Sequence, residues 1–275
     1  MKLLVIGNPI KHSKSPMIHN HWIKKYKIKG IYEKLEIEEK KLQTVIKKLK
    51  TDEIKGFNVT LPYKEKIITF LDKLHTSAKA SRAVNTIFLD KDKKVVGANT
   101  DGLGFVSYLT KDLNLKLNGK NFYILGAGGS SLGIISELVK YDISSITIVN
   151  RTREKAEIIA EKFKTSNIPI HVNDWKLLKP SNTIDIIVNT SSFGMKNNEV
   201  LSINSTNLKK QTLILDIIYS PKETQFLKQL RKENFKTYNG IGMLIRQAAE
   251  SFNFWFNISL KKEDIESVKN LINKC

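Results

Sequence analysis

The chain is 275 residues long, with 41% hydrophobic and 8% aromatic residues, and it carries a formal net charge of +19 at pH 7. This length favours two domains or one large one, and the composition is ordinary for a globular protein. The positive charge suggests a nucleic-acid partner, but the lysines are scattered over predicted helix faces without interleaved aromatic residues, so we expect no nucleic-acid binding.

Cysteine, apolar and histidine patterns disfavour other classes of protein. The single cysteine, Cys275, rules out a disulfide or a thiolate metal cluster within one chain, which fits a reducing cytoplasm. Near the N-terminus only four consecutive apolar residues precede Gly7, too few for a signal peptide or a membrane span. His19 and His21 would point to different faces of a helix. We therefore predict a cytoplasmic protein with no membrane attachment and no metal site.

The first third of the chain alternates strand and helix patterns. Ser15 and Pro16 look like a helix N-cap followed by proline at the first helical position. Residues 90–94, between apolar flanks, predict a hairpin turn. The other predicted elements are a strand at Leu3–Ile6, a helix at Pro16–Tyr26, a strand at Ile31–Ile37, a helix at Glu38–Leu49 and a strand at Gly56–Val59.

Short polar clusters lie at the ends of these apolar segments. Small hydroxyl and amide side chains can hydrogen-bond a polyhydroxylated ligand, and Lys64 and Asp101 could exchange a proton. Each residue also has a purely structural interpretation, because Ser15 could cap a helix and Asp101-Gly102 is a common turn pair. The clusters are Ser13-Lys14-Ser15, Asn58 to Lys64, Asn85-Thr86, and Asn99 to Gly102.

The stretch from Phe122 to Thr152, which follows a predicted break at Asn118-Gly119, has the pattern of a dinucleotide-binding unit. A predicted strand at Phe122–Leu125 runs into the sequence GAGG, then a helix at Ser130–Tyr141 and a strand at Ser145–Val149. The glycines let backbone N–H groups approach a pyrophosphate, and the positive end of the helix dipole faces the same anion. The sequence therefore predicts a nucleotide cofactor.

The end of the second strand of this unit indicates which cofactor. An NAD site would have Asp or Glu there to bind the ribose 2′-hydroxyl, whereas this chain has Asn150-Arg151-Thr152-Arg153. A carboxylate would repel a 2′-phosphate, and these residues would hold one. Two of the chain's five arginines fall in this short stretch. We therefore predict NADP(H) as the cofactor.

The rest of the chain continues the alternation and then ends in helices. We expect two α/β lobes with a cleft between them, because open α/β sheets bind ligands at the carboxyl ends of their strands. The predicted elements are a helix at Glu154–Phe163, strands at Thr183–Val188 and Thr212–Ile217, and helices at Thr224–Glu233, Ile241–Phe256 and Lys262–Ile272.

Several motifs, taken in order, resemble the shikimate dehydrogenase family, the NADP-dependent enzymes of aromatic amino-acid biosynthesis. They run from Val5 to about Trp255, and their joint occurrence is specific. The matching stretches are VIGNPIKHSKSP, GFNVTLPYKEKI, AVNTI, GANTDGLGF, GAGGSS, NRT, NTSSFGM, DIIYSP and NGIGMLIRQAAESF.

The resemblance implies a two-lobed enzyme that reduces 3-dehydroshikimate to shikimate with NADPH. It implies a substrate domain at residues 1–110, a Rossmann-like NADP-binding domain at 111–238, and helices at 239–275 that return to the first lobe. The implied catalytic residues are Lys64 and Asp101. The implied substrate-binding residues are Ser13, Ser15, Asn58, Thr60, Lys64, Asn85, Asp101, Tyr219 and Gln247. The implied cofactor-binding residues are Gly126, Ala127, Gly128, Gly129, Ser130, Asn150, Arg151, Thr152, Lys155, Ile217 and Gly240.

The chain departs from the family pattern at a few positions. Ser130-Ser131 replaces the usual alanines and could add hydroxyl contacts to phosphate. Lys155 stands where many members have arginine, so we expect it to keep the charge but lose bidentate geometry. Arg82 replaces a glycine that commonly precedes AVNT, and the sequence offers no explanation for it.

A chemical role for each group follows from the implied reaction. Reducing a ring ketone needs a hydride on carbon and a proton on oxygen, and Lys64 is the best proton donor. Asp101 would favour the charged ammonium of Lys64, whereas burial would oppose it, and the pair should titrate together. We expect Ser13 and Ser15 to meet the substrate carboxylate. Gln247, among apolar neighbours, needs a hydrogen-bond partner, and a core glutamine bonded to backbone is the structural alternative.

Three other functions compete with this one. The first is a quinate/shikimate dehydrogenase with broader substrate or cofactor use. The second is a regulatory binding module that keeps the fold without turnover, which the intact pair of Lys64 and Asp101 argues against. The third, a nucleic-acid binder, is the weakest. We expect a monomer or a homodimer. We also expect it to bind a small-molecule substrate, shikimate or 3-dehydroshikimate.

Overall fold

The computed structural model describes residues 1–196 and 199–274, so Cys275 lies outside the described residues. The chain divides into two units. The first unit comprises Met1–Tyr108 and Met243–Cys275, and the second comprises Leu109–Gly242.

The first unit opens with ten helices and strands in chain order. They are β1 (Lys2–Gly7), α1 (Ser15–Lys25), β2 (Ile31–Glu36), α2 (Leu42–Lys50), β3 (Gly56–Val59), β4 (Lys73–Leu74), α3 (Thr76–Lys79), β5 (Thr86–Leu89), β6 (Val95–Ala98) and α4 (Asp101–Ser107). Short 3₁₀ turns at Glu39–Lys41 and Lys66–Phe70 join some of them.

The second unit repeats the alternation of strands and helices. Its elements are β7 (Asn121–Leu125), α5 (Gly129–Leu138), β8 (Ser145–Asn150), α6 (Arg153–Lys162), β9 (Ile170–Asp174), β10 (Ile186–Asn189), β11 (Leu213–Asp216), α7 (Gln225–Lys232) and β12 (Lys236–Tyr238). The chain then forms α8 (Ile241–Phe256) and α9 (Lys262–Asn273), which lie in the first unit from Met243 onwards.

The sheet of the first unit has the strand order β2-β1-β3-β5-β6-β4. β1 pairs in parallel with β2 and β3, and β4 pairs in parallel with β6. Only β5 runs the other way, pairing antiparallel with both β3 and β6. The first residue of β5 therefore lies at the edge where β1, β3 and β6 end.

The sheet of the second unit is parallel throughout, in the order β12-β11-β10-β7-β8-β9. Counted from β7 as the first strand, this is the order 3-2-1-4-5-6 of the doubly wound dinucleotide-binding fold. The strand order reverses between β7 and β10, and such a fold binds ligands at that point, beyond the carboxyl ends of the strands. The predicted α/β fold class is confirmed.

Helix patterns explain how each sheet is covered. In α2 the buried residues Leu42, Val45, Ile46 and Leu49 recur at helical spacing and join the core of the first sheet. In α7 the buried residues Phe226, Leu227 and Leu230 do the same for the second sheet. Truncating such a fully buried leucine to alanine costs about 2–5 kcal/mol, so these faces fix the helices in place.

Some local predictions were wrong. The predicted N-cap at Ser15 is wrong, because the helix already includes Ser15, and its N-cap, Lys14, makes no side-chain capping bond. The turn considered as a structural alternative for Asp101-Gly102 is also absent, since α4 begins at Asp101. The predicted helix at Glu38–Leu49 is divided into a 3₁₀ turn and α2. The predicted hairpin turn is confirmed by the Asp90 N–H, which donates to the Lys94 carbonyl at 3.0 Å.

Candidate active site

The polar clusters of the first unit meet at one edge of its sheet. Lys64 follows β3, Asp101 follows β6, and Asn85 immediately precedes β5. These three segments reach the same edge because β5 runs antiparallel to its neighbours. The topology therefore assembles residues that lie far apart in the sequence.

Lys64 and Asp101 form a buried ion pair at this edge. The Lys64 Nζ donates to the Asp101 Oδ2 at 2.5 Å, and the two side chains are 11% and 7% exposed. The other carboxylate oxygen, Oδ1, accepts a hydrogen bond from Asn85 Nδ2 at 2.8 Å. The Asp101 backbone N–H donates to Asn99 Oδ1 at 2.9 Å. Both carboxylate oxygens are thus held, which fixes the lysine they face.

Gln247 of α8 joins the same cluster. Its Oε1 accepts from Asn85 Nδ2 at 3.3 Å and from Thr100 Oγ1 at 3.2 Å. Its Nε2 donates to the Leu244 carbonyl at 3.0 Å, so the glutamine is bonded both to backbone and to the polar cluster. The partner that a polar group among apolar neighbours requires is therefore present.

Asn58 lies in the interior of β3 and is almost fully buried. Its Oδ1 accepts from the Tyr32 hydroxyl at 2.6 Å, and its Nδ2 donates to the Asn85 carbonyl at 2.9 Å. Asn85 Oδ1 accepts from the Thr100 N–H at 2.8 Å. Both asparagines are therefore held by the fold before any ligand arrives.

The remaining predicted substrate residues occupy two places. Ser13 and Thr60 lie in the loops after β1 and β3, at the edge that carries Lys64, and Ser15 is the first residue of α1. Ser15 is 6% exposed, and its backbone N–H donates to Ser13 Oγ at 3.3 Å. Because the Ser15 hydroxyl does not cap α1, the structural role considered for it falls away. Tyr219 belongs to the second unit.

In the second unit the predicted glycine turn lies at the point where strand order reverses. Gly126 has φ +119°, and a Cβ added there would lie 2.7 Å from Thr190 Oγ1, so this turn requires glycine. The chain then passes through Ala127 to Gly128, the N-cap of α5, which offers no side-chain cap. The first N–H groups of α5 are left for another acceptor, since no intrahelical partner exists for them.

Three features of this turn fit a dinucleotide pyrophosphate. A Cβ added at Gly128 would meet nothing within 4 Å, so the protein's own packing does not account for this glycine. Gly129 and Ser130 begin α5, where the helix dipole favours an anion. Within the described residues, Ser131 Oγ is buried without a hydrogen-bond partner. The residues therefore fit the cofactor that the sequence predicts.

The end of β8 carries the basic residues predicted to hold a 2′-phosphate. Arg151, Thr152 and Lys155 are exposed, and the Arg151 guanidinium carbon lies 5.3 Å from the centre of the Phe193 ring. Asn150 Nδ2 donates to the Thr152 carbonyl at 2.7 Å, which shapes the turn into α6. By contrast, Arg153 Nε donates to Glu157 Oε1 at 2.8 Å along α6.

Ile217 and Gly240 are brought together beyond the end of β11. The Gly240 N–H donates to the Ile218 carbonyl at 3.0 Å. A Cβ at Gly240 would lie 1.9 Å from the Ile217 carbonyl oxygen, so no other residue fits without moving the backbone. This contact ties the DIIYSP and NGIGM segments to each other.

Asp216, at the end of β11, is a buried acid that the sequence did not single out, although it opens the DIIYSP motif. It accepts hydrogen bonds from Asn189 Nδ2 at 3.1 Å, from the Ile218 N–H at 3.0 Å and from Thr224 Oγ1 at 2.7 Å. Burial raises the pKa of Asp216 to about 6, and these neutral donors only partly oppose the rise. It anchors the loop that carries Ile217 and Tyr219.

Metal-binding clusters and membrane-spanning helices are both absent from the described part of the chain. No group of three or more His, Cys, Asp or Glu side chains there could hold a metal ion. No helix in that part is long and apolar enough to cross a membrane.

Family models match both units of the chain. Residues 5–87 match the shikimate dehydrogenase substrate-binding domain, and residues 108–235 match the shikimate/quinate 5-dehydrogenase domain. A Pelagibacter ubique protein named shikimate dehydrogenase (NADP(+)) is 40% identical over 271 residues, which cover 98% of this chain and 97% of the relative.

Solved structures give the same result. A shikimate dehydrogenase in complex with NADP⁺ superposes with a TM-score of 0.88 at 34% identity, over 99% of this chain and 95% of its own. The Listeria monocytogenes shikimate 5-dehydrogenase, in complex with shikimate and NAD, has a TM-score of 0.88 at 29% identity, over 98% of this chain and 96% of its own.

Proposed function

This chain belongs to the shikimate dehydrogenase family, and from that premise we propose that it catalyses the reversible NADPH-dependent reduction of 3-dehydroshikimate to shikimate. The observation that carries the proposal is the buried pair of Lys64 and Asp101, with Asn85 and Gln247 bonded around it. This pair supplies the proton that carbonyl reduction requires.

The proton step follows from the geometry of the pair. NADPH, when bound, supplies the hydride that adds to the carbonyl carbon of the substrate. As the carbonyl oxygen gains electrons, it takes a proton from Lys64 Nζ. Before the transfer, Asp101 holds the Lys64 Nζ in place by accepting its hydrogen bond. In the direction of shikimate oxidation, Lys64 accepts the same proton.

Other side chains of the first unit bind and orient the substrate in this proposal. The hydroxyls of Ser13 and Ser15 can donate to a substrate carboxylate, and Thr60, Asn58 and Gln247 offer groups for ring hydroxyls. Asn85 holds Asp101 through its amide, so it orients the acid while it borders the substrate. Tyr219 is a further substrate-binding residue in this proposal.

We propose that the second unit holds the cofactor. The pyrophosphate would meet the segment from Gly126 to Ser130, and the 2′-phosphate would meet Asn150, Arg151, Thr152 and Lys155. Ile217 and Gly240 would border the nicotinamide. The corresponding domains are residues 1–110 with 239–275 for the substrate and 111–238 for the cofactor, a proposal supported by the division into the two units described above.

A second candidate is broader use of substrate or cofactor. The family model matched by residues 108–235 covers quinate as well as shikimate enzymes, and the Listeria monocytogenes enzyme was solved with NAD. The basic end of β8 favours NADP(H) in this chain, because no carboxylate stands there to bind a 2′-hydroxyl. We further propose that the protein is cytoplasmic, in line with its single cysteine. We also propose that it is a monomer or a homodimer.

The test is a set of initial rates. NADP⁺ reduction should be fast with shikimate and slower with quinate, and NAD⁺ should give a lower kcat/KM than NADP⁺ with shikimate. Comparable rates with quinate would support the broader enzyme. Absence of NADP⁺ reduction with shikimate would contradict the proposed function.

A further inference from the structure

A group of buried polar side chains beside the catalytic pair has no role in the reaction described above. Tyr32 is 1% exposed, and Thr86, Thr100 and Ser251 are not exposed at all. We call these four residues the support cluster. They come from β2, β5, the segment before α4, and α8, so they connect separate parts of the first unit.

Tyr32 fixes one end of the cluster. Its hydroxyl donates to Asn58 Oδ1 at 2.6 Å, and its ring stacks on the buried His19 ring with 4.3 Å between centres. Asn58 Nδ2 faces the main-chain carbonyl of Asn85 at 2.9 Å. That carbonyl can only accept, so the amide of Asn58 has one allowed orientation, with its oxygen toward Tyr32.

Three hydroxyls form the middle of the cluster. Ser251 Oγ lies 2.8 Å from Thr86 Oγ1 and 3.2 Å from Thr100 Oγ1, and the two threonine oxygens are 3.3 Å apart. Ser251 Oγ also accepts from Asn58 Nδ2 at 3.1 Å. α8 is thereby bonded to β3 and β5 at the level of the site.

These hydroxyls set the orientation of Asn85. Its Oδ1 accepts from Thr86 Oγ1 at 3.0 Å and from the main-chain N–H of Thr100 at 2.8 Å. A main-chain N–H can only donate, so the Asn85 amide cannot turn over. Its Nδ2 is consequently directed at Asp101 Oδ1.

The bonds share one direction. Donors run from the Tyr32 hydroxyl to Asn58, from Asn58 to the hydroxyls, from Thr86 to Asn85, and from Asn85 to the Asp101 carboxylate. Bonds in such a chain polarise one another, by about 10–30% each. The chain ends on a group that only accepts, and that group is the partner of Lys64.

We propose that Tyr32 and Ser251 are positioning residues for this reaction, acting through Asn58 and Asn85 on the Asp101 carboxylate. The proposal rests on the function proposed above. It assigns neither residue a contact with substrate or cofactor. Both act on the geometry of the acid that faces Lys64.

Two substitutions test this with matched controls. Tyr32→Phe and Ser251→Ala each remove one hydroxyl and keep the rest of the side chain. Tyr26→Phe is the first control, because the Tyr26 hydroxyl donates to Asp264 at 2.8 Å, and Asp264 is not part of the proposed site. Ser136→Ala is the second, since Ser136, like Ser251, is a buried helical serine whose hydroxyl lies within hydrogen-bond distance of a carbonyl of its own helix.

The expected result separates positioning from simple stability. Both test variants should lower kcat/KM for shikimate about three- to tenfold, the size of one neutral hydrogen bond, with KM for NADP⁺ unchanged. The controls should lose similar thermal stability and keep their kcat/KM. Thr86→Val should behave like the test variants, and Thr86→Ser, which keeps the hydroxyl, should retain activity. Test variants that lose no more kcat/KM than the controls would overturn the proposal.

A second measurement does not depend on the substrate. The side-chain amide protons of Asn85 should exchange slowly with solvent in the unsubstituted protein and faster in Tyr32→Phe and Ser251→Ala, with the controls unchanged. Unaltered Asn85 exchange in the test variants would contradict positioning, even if the protein proved inactive on shikimate. Inactivity on shikimate alone would count against the proposed function instead, and the exchange rates would still decide the positioning role.

Discussion

Arg151 and Arg153 lie two residues apart but have different surroundings. Arg151 is exposed at the end of β8 beside Phe193, whereas Arg153 is paired with Glu157 along α6. Arg151→Ala should raise KM for NADP⁺ by about ten- to a hundredfold, the value of a charge-assisted hydrogen bond to phosphate. KM for NAD⁺, which lacks the 2′-phosphate, should hardly change.

Steady-state kinetics with both cofactors check this prediction. Arg153→Ala is the control, and its effect on KM for NADP⁺ should be smaller because Glu157 already engages the guanidinium. An equal rise in KM for both cofactors in Arg151→Ala would mean that Arg151 stabilises the fold or stacks on the adenine, and does not bind the 2′-phosphate.

Arg82, which the sequence left unexplained, has a backbone reason to be unusual. Its φ is +49°, in the left-handed region, and its N–H donates to the Ala78 carbonyl at 2.8 Å just after α3. A glycine, which commonly stands here in the family, adopts that φ without strain. Arg82→Gly should therefore raise the free energy of unfolding by about 0.5–1 kcal/mol. This is the net gain, because the higher entropy of glycine in the unfolded chain offsets part of the relieved strain.

Denaturant unfolding of two variants decides whether strain is the cause. Arg82→Ala removes the same charge but keeps the Cβ, so it should give no comparable gain. If both variants were stabilised equally, the side chain of Arg82 and not its φ would be responsible.

At the level of single residues, the sequence predicted the polar groups that follow strands but not their supports. Lys64 and Asp101 stand in recognisable motifs, and the structure places them together. Tyr32 and Ser251 could not be found in this way, because their partners lie 26 and 165 residues away along the chain. Only the folded sheet and α8 bring those hydroxyls to the asparagines.

At the level of elements, apolar runs identified most of the strands but missed the two edge strands of the second sheet. β9 and β12 were not predicted because they lie at the two edges of the second sheet, where few residues are buried and no apolar run marks them. β5 and β6 appeared only as the flanks of a hairpin turn. The antiparallel direction of β5, which brings Asn85 to the site, follows from that hairpin.

Asp216 links β11 to α7, because Thr224 donates to its carboxylate and also accepts from the Leu227 N–H at the start of α7. Burial raises its pKa from 3.8 to about 6, so the folded state binds a proton that the unfolded state has lost between these values. The contribution of Asp216 to the free energy of unfolding is fully present below the pKa of the unfolded state. It is lost as pH rises through the pKa of the folded state. The slope in this window is at most about 1.4 kcal/mol per pH unit.

Comparison with Asp216→Asn isolates this effect from the other carboxylates. As pH falls from 7 to 4, the free energy of unfolding of the unsubstituted protein should rise relative to that of the variant. Chemical denaturation at several pH values measures both curves. Parallel curves over this range would show that Asp216 does not titrate there.

At the level of the whole molecule, the charge of +19 calls for an explanation other than nucleic acid. Many lysines are paired with acids on the surface, as in the ion pairs of Lys2 with Glu33 and Lys48 with Glu53. Duplex DNA should therefore bind only weakly, at about 10⁻⁴–10⁻⁶ M, and lose affinity as salt releases counterions. Catalysis should persist at 0.15 M salt.

A DNA titration at low and physiological salt, run beside the shikimate assay, checks this. Sequence-selective binding tighter than about 10⁻⁷ M at physiological salt, against that non-specific range, would point to a second function.

In the proposed reaction, Lys64 is held by Asp101 and supplies the proton. The most direct measurement is kcat together with the dissociation constant for shikimate in Lys64→Ala, with Lys66→Ala as control, since Lys66 is exposed and paired with Glu39. We expect kcat to fall by about 10²–10⁴-fold, as for a general acid–base group. Shikimate binding should change far less, and the control should be normal. Near-normal kcat with only a raised KM would contradict the account and make Lys64 a binding residue.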